Sequence, residues 1–322
     1  MNILITGGLG FVGINLVRRF AQDLPQAHVI AADILPHTAE VDSFLSPYNE
    51  RITVRTMDVR DRHALISLCE AEKVTHLVHA AAITPTIQKE MQQPELIIDV
   101  NLGSAVNALY ALSGINSIEK LILCSSTGVY APTLPPDGGN VLEDSPLALN
   151  NLYSITKYSA ELLGQRMQEL NGKPVASVRF ASVYGCMERP TGARQHMSLM
   201  YRLKLALKSS QAVRVFGPDI TRDWIHTSDI SQALLNLLQA PAWNFPVYNL
   251  GSGKTTSLSD LVLAFSSHGL DIGWAENPEE ASFVFTQNDY RGALDISRIK
   301  RDANFVPQID PVIHMRDYLN QP

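Results

Sequence analysis

Charge, cysteine and long apolar runs are all scarce in this chain, and each scarcity excludes something. Charged residues make up 18% of the 322 positions and sum to −6, so the chain offers no basic field for nucleic acid or an anionic membrane. The three cysteines, Cys69, Cys124 and Cys186, are odd in number and far apart, which points to reduced thiols and a cytoplasmic setting rather than a disulfide framework. No unbroken apolar run approaches the roughly 20 residues that cross a bilayer. The first apolar strand begins at residue 2, so no signal peptide is expected. The nine histidines lack metal-ligand spacing: His76 and His79, three apart on a predicted strand, point to opposite faces. No metal is expected. Hydrophobic content of 45% and this length fit a soluble α/β unit with a smaller appended domain.

What is present begins at the N-terminus. An apolar strand, Asn2 to Thr6, runs into a turn carrying Gly7, Gly10 and Gly13, and an amphipathic helix follows. Such a turn lets the backbone approach a pyrophosphate and aims a helix N-terminus, with Phe11 and Val12 in its first turn, at the phosphates. Asp33 ends the second strand twenty residues after Gly13. A carboxylate there accepts hydrogen bonds from the adenosine ribose and repels a 2′-phosphate. No Arg or Lys lies within reach of it in sequence, so NAD is favoured over NADP.

Strand candidates are Ile3–Thr6, Val29–Asp33, Thr53–Met57, His76–Ala80, Lys120–Ser125 and Val175–Phe180. Amphipathic stretches separate them: Gly13–Gln22, Arg62–Glu70, Ile98–Ser113 and Tyr153–Leu170. This alternation predicts a doubly wound parallel sheet, a Rossmann domain, with its ligand at the carboxyl ends of the strands. Past Phe180 the pattern changes, through a loop rich in Gly, Pro and Arg (184–192), a helix and a short strand near Val213–Phe216. The helix Asp229–Gln239 and strand Val247–Leu250 return to the sheet. Residues 1–180 with about 223–250 are thus expected to form the NAD-binding domain, and 181–222 with 251–322 a smaller α/β substrate-binding domain. Basic residues gather between Arg179 and Arg222, which hints at an anionic substrate. Within that stretch Arg202, Lys204 and Lys208 read most clearly as solvent-facing helix charges. Gly251-Ser-Gly-Lys-Thr255 imitates a phosphate loop, but Tyr248 stands where the full motif needs glycine.

Tyr153 and Lys157 lie four apart, on one face of a helix. An ammonium about 5 Å from a phenol favours the phenolate by roughly 3 kcal/mol at an effective dielectric near 20, about two pKa units. The phenol can then accept a proton while hydride moves to a cofactor ring. Ser125-Ser126-Thr127, ending the fifth strand, supplies a hydroxyl to steady the substrate oxygen.

With these residues in view the chain resembles an extended short-chain dehydrogenase/reductase of the NAD-dependent epimerase/dehydratase family. The carriers are Thr6 to Gly13, Asp58-Val59, His79-Ala-Ala-Ala82, Asn101, Ser125 to Tyr130, Tyr153-x-x-x-Lys157, Arg179 to Gly185 and Arg222-Asp-Trp-Ile-His226. The resemblance implies that Asp58 and Val59 contact adenine, Ala80, Ala81 and Ala82 line the pyrophosphate and ribose, and Asn101 supports the cofactor site. Ser126 would be the hydroxyl partner of Tyr153, with Lys157 on the nicotinamide ribose. Substrate contacts would come from Thr84, Ser126, Thr127, Ser182 and Arg222. A homodimer is implied too, through Leu102, Val106, Leu109, Leu162 and Leu163.

Dehydratases of the family place an acidic residue just after the catalytic Ser or Thr, and Thr127 and Gly128 stand there instead, which disfavours dehydration. What remains is oxidation of a sugar-like secondary alcohol, as epimerase or as dehydrogenase. Of the three diphosphate contacts usual in nucleotide-sugar epimerases, Arg222 matches one, Ser182 replaces an Asn, and the later Arg falls near the apolar Phe285. Sugar nucleotide and smaller sugar acid therefore both stay open. A dinucleotide-sensing protein without catalysis is the alternative from another class, although Tyr153, Lys157 and Ser126 are all kept.

Overall fold

The computed structural model describes residues 1–131, 139–194 and 197–321. Its strands are, in chain order, β1 (Asn2–Thr6), β2 (His28–Asp33), β3 (Ile52–Thr56), β4 (His76–His79), β5 (Lys120–Ser126), β6 (Val175–Phe180), β7 (Ser182–Tyr184), β8 (Val213–Phe216), β9 (Thr221–His226), β10 (Val247–Leu250), β11 (Thr255–Ser257), β12 (Ile272–Trp274) and β13 (Phe283–Val284). Seven of them form one parallel sheet in the order β10-β6-β5-β4-β1-β2-β3. Side chains alternate across it: Ile3 and Ile5 enter one apolar core and Leu4 the other, so each face is covered. Helices Phe11–Asp23 and Thr227–Gln239 contribute to the first core, Arg62–Ala71 and Ser104–Gly114 to the second. Strand order reverses between β1 and β4, which opens a crevice at their carboxyl ends.

Helical turns run without a break from Pro94 to Gly114, with a π turn at Asp99–Gly103. Contrary to the reading of unbroken apolar runs, this 21-residue span is long and apolar enough to cross a membrane, with a mean hydropathy of 1.3 over its most apolar window. Half of that window is buried, and Asn101, Ser104 and Asn107 on its inner side bond to Ile83, His79 and Val59. Those bonds mark a helix covering a sheet.

The rest of the chain builds two smaller sheets. β12, β8 and β13 pair in parallel, and helices Leu199–Lys208 and Leu258–Ser267 pack with them around Met200, Leu203, Val215, Leu261 and Phe265. β7, β9 and β11 form the other. Their short polar sequences carry no alternation, so they are legible only as motif residues. Lys204, expected to face solvent, is instead 5% exposed: its ammonium donates to the Gln321 carbonyl at 2.7 Å and lies over the Tyr318 ring. Helical periodicity puts it one turn from Met200, on the inner face. Arg202 and Lys208 are exposed.

Candidate active site

The glycine turn is a matter of backbone clearance. Gly7 has φ +69°, and a Cβ there would lie 2.7 Å from the Ala81 backbone. A Cβ on Gly13 would lie 2.0 Å from the Gly7 carbonyl oxygen, so the helix can begin this close to the turn only without one. That helix, Phe11–Asp23, has no side-chain cap and no acidic residue in its first turn. Its N-terminus opens on a cavity of about 600 Å³, bordered by Gly7, Gly10, Phe11, Val12 and Gly13. Asp33 stands at the far end of the turn, 7% exposed. Its carboxylate accepts the Leu9 N–H at 2.9 Å and the Leu35 N–H at 3.0 Å, which fixes it against the loop. Asp58 and Val59 border the same cavity. Arg60 holds the Asp58 carboxyl below its ordinary pKa by hydrogen bonding, at 2.5 Å from NH2. An uncapped helix end, a recessed glycine turn and an oriented carboxylate fit a dinucleotide, and Ala80, Ala81 and Ala82 complete the lining.

Ser126, Tyr153 and Lys157 border the same cavity. Tyr153 and Lys157 belong to the helix Leu152–Asn171, started by a capping box between Asn151 and Ser154. The Lys157 ammonium is 5% exposed, donates to the Cys124 carbonyl at 2.8 Å and lies 5.8 Å from the centre of the Tyr153 ring. Ser126 Oγ accepts the Gly128 N–H at 3.1 Å, and a Cβ on Gly128 would stand 3.3 Å from that oxygen and 3.7 Å from the Tyr153 ring, so both flank this glycine. Ser125 turns the other way, donating to Glu161. Glu161 in turn pairs with Arg179, which also donates to Tyr130 Oη at 2.8 Å. Several residues carrying the resemblance therefore hold the site from behind.

Asn101 is one of these. It does not border the cavity; it accepts the Ile83 N–H at 2.7 Å and donates to the Ile83 carbonyl, pinning the turn after Ala82. With both ends of the amide occupied, it has little left for a cofactor. Every other residue expected to bind cofactor or substrate borders the cavity, including Thr84, Thr127, Ser182 and Arg222.

The structure adds residues that sequence reasoning passed over. Arg189, Arg194, Lys89 and Arg291 also border the cavity. Arg189 crosses over to donate to the Leu9 carbonyl at 2.7 Å. Arg194 pairs with Glu188 at 3.2 Å. Their membership of the basic stretch was a signal, but only tertiary folding separates them from Arg202. Arg291 lies closer to Asp295 than the family's later arginine does, so the resemblance gave it no role. The false phosphate loop is also explained: Ser252 and Gly253 donate their N–H groups to Asp223, a carboxylate of the chain itself, at 2.7 and 3.1 Å. Among the described residues no cluster of three His, Cys, Asp or Glu side chains is placed to hold a metal.

Known proteins share this fold. A UDP-glucose 4-epimerase from Oryza sativa is 26% identical over 312 residues, covering 88% of this chain and 74% of that one. Among solved structures, the UDP-glucose 4-epimerase of Thermotoga maritima with UDP-glucose superposes with a TM-score of 0.80 at 19% identity, over 99% of this chain and 97% of that one. The UDP-glucuronic acid 4-epimerase of Bacillus cereus, in complex with UDP-glucuronic acid and NAD, gives 0.79 at 21% identity, over 99% and 98%. The sequence also matches a family over residues 3–251. The chain belongs to the NAD dependent epimerase/dehydratase family, as an NAD-dependent enzyme of the extended short-chain dehydrogenase/reductase type.

Proposed function

We propose that the chain oxidises a secondary alcohol of a sugar-like, anionic substrate through Ser126, Tyr153 and Lys157. The observation that supports this reading is that Ser126, Tyr153 and the buried Lys157 border one cavity, with Ser126 Oγ and the edge of the Tyr153 ring both flanking Gly128. NAD, when bound, supplies the hydride acceptor. Tyr153 takes the hydroxyl proton and Ser126 hydrogen-bonds the same oxygen. Lys157, anchored on the Cys124 carbonyl, favours the anionic phenol and has further N–H groups for the nicotinamide ribose. Thr127 and Gly128, which follow Ser126, have no carboxyl to assist loss of water. The lining supports an anionic substrate: Arg60, Lys89, Lys157, Arg189, Arg194, Arg222 and Arg291 border the cavity that Asp33 and Asp58 also line.

Tyr153→Phe tests the reading. It should lower turnover about a hundredfold or more while leaving NAD affinity nearly unchanged. A variant with full turnover would refute it.

We also propose a homodimer. Ile98, Ile155, Leu162 and Leu163 are 38 to 48% exposed on the two helices that cover one side of the sheet. Leu109, at 2% exposure, packs inward instead. Light scattering on the full chain, with Leu162→Asp as the disrupting variant, tests this.

A further inference from the structure

The crevice between the loops that follow β1 and β4 is crossed by a third segment. We infer that residues 189–194 form a latch over the dinucleotide, pinned by Arg189, so that NAD enters and leaves only when this segment opens. The inference needs NAD in the large cavity and does not depend on the roles of Ser126, Tyr153 and Lys157.

Bonds to the two walls of the crevice carry it. On the β1 side, Arg189 NH2 donates to the Leu9 carbonyl at 2.7 Å, and the Arg194 guanidinium lies 5.4 Å from the centre of the Phe11 ring. On the β4 side, the Thr84 N–H donates to the Ala193 carbonyl at 3.0 Å, and Thr84 pairs with Arg194 as a parallel bridge. The Lys89 ammonium adds a bond to the Gly192 carbonyl at 3.3 Å. Leu9 and Thr84 follow the two strands at which the sheet order reverses. A segment bonded to both therefore spans the place where a ligand of this fold sits. Apart from Pro190, every residue of the segment borders the cavity.

The base of the segment is fixed and its tip is not. Met187 and Glu188, just before it, are 1% and 5% exposed. Glu188 accepts the Ser198 N–H at 2.6 Å and the Ser198 hydroxyl at 2.5 Å, and it pairs with Arg194 at 3.2 Å. Asn15 donates to the Cys186 carbonyl at 2.9 Å. From 189 to 194, by contrast, no side chain is buried. A stretch with an anchored base, no buried side chain and a few bonds at its tip opens without global unfolding. Both bonds of Arg189 end on backbone carbonyls, those of Met187 and Leu9. The pin is thus a charged donor on neutral acceptors: burial works against its charge, and Glu40 and Asp33 favour it.

A latch separates the two outcomes of hydride transfer. Oxidation that stops at the ketone must open it at every turnover to release NADH. Inversion returns the hydride to the ketone with the segment closed, and NAD is regenerated in place.

The test is NADH release from the full chain, followed by fluorescence during a chase with excess NAD. Titration gives Kd, and the two together give the association rate. Arg189→Ala should speed release about tenfold while Kd changes by less than about threefold, because a gate lowers the barrier in both directions. Lys89→Met frees the opposite wall and should act in the same sense, by about threefold. Arg189→Lys keeps one donor for the Leu9 carbonyl and should recover part of the effect. The inference falls if Arg189→Ala leaves release unchanged. It falls equally if release and Kd rise by the same factor, the mark of a lost contact with the dinucleotide. Tyr153→Phe should leave release unchanged, so the two levels are read apart: turnover that persists in that variant sinks the hydride-transfer reading and leaves the latch standing.

Discussion

Glu161 and Arg179 are joined by a 2.6 Å ion pair whose side chains are only 1% and 3% exposed. The pair ties the helix carrying Tyr153 and Lys157 to β6, and through Ser125 to the end of β5. Removing one partner leaves the other charged in the interior. Glu161→Gln should therefore cost about 3–5 kcal/mol, read from the denaturant midpoint at constant m. A loss below 1 kcal/mol would mean that the pair does not organise the site.

Gly13→Ala places a methyl group 2.0 Å from the Gly7 carbonyl oxygen, a backbone atom that cannot swing aside. The turn must open. Stability should fall by about 1–3 kcal/mol, and NAD affinity by about tenfold or more, because the helix N-terminus moves from the phosphates. Titration of NAD by tryptophan fluorescence or calorimetry checks both the size and the direction.

His79 lies between the hydroxyls of Thr6 and Ser104, at 2.7 and 2.9 Å. Burial, with Lys157 adding a like charge, pushes its pKa down to about 3. The sign follows from linkage: between pH 6.5 and about 3 the unfolded chain binds a proton that the folded chain refuses. The contribution of His79 is therefore complete above pH 6.5 and is lost as pH falls through this window, by about 1.4 kcal/mol per unit. His79→Asn should remove that slope. Equal slopes for the two proteins would contradict the buried neutral ring.

Asp33 is the group expected to decide cofactor choice, and a cation lies close to it. Arg189 donates to the carbonyl of Leu9, whose N–H meets Asp33, and burial lowers its pKa while the Glu40 and Asp33 carboxylates oppose that. Asp33→Asn keeps an acceptor for the Leu9 N–H and removes the charge that repels a 2′-phosphate. The kcat/KM ratio of NADP to NAD should rise about tenfold or more. An unchanged ratio would show that Asp33 does not face the ribose.

Local signals made the glycine turn, the strand-ending Asp33 and the Tyr153–Lys157 spacing readable, because each depends on neighbours within one element. The parallel sheet was readable for the same reason: buried strands are continuous apolar runs. Arg291 was set aside because its spacing to Asp295 departs from the family's, and its place on one void with Thr127 is set by a loop some 160 residues away in sequence. Lys204 misled in the opposite sense, because a lysine can lay its stem on an aromatic ring and end on a carbonyl inside the fold. Asn101 was placed in the right region, but its amide serves the Ile83 backbone.

A crystal structure of the full chain with NAD tests the central claim most directly. The account predicts the pyrophosphate on the amides of the turn from Gly10 to Gly13, and the reactive carbon of the nicotinamide facing both Ser126 Oγ and the Tyr153 hydroxyl. A phenol turned away from that carbon, or a dinucleotide bound elsewhere, would contradict it.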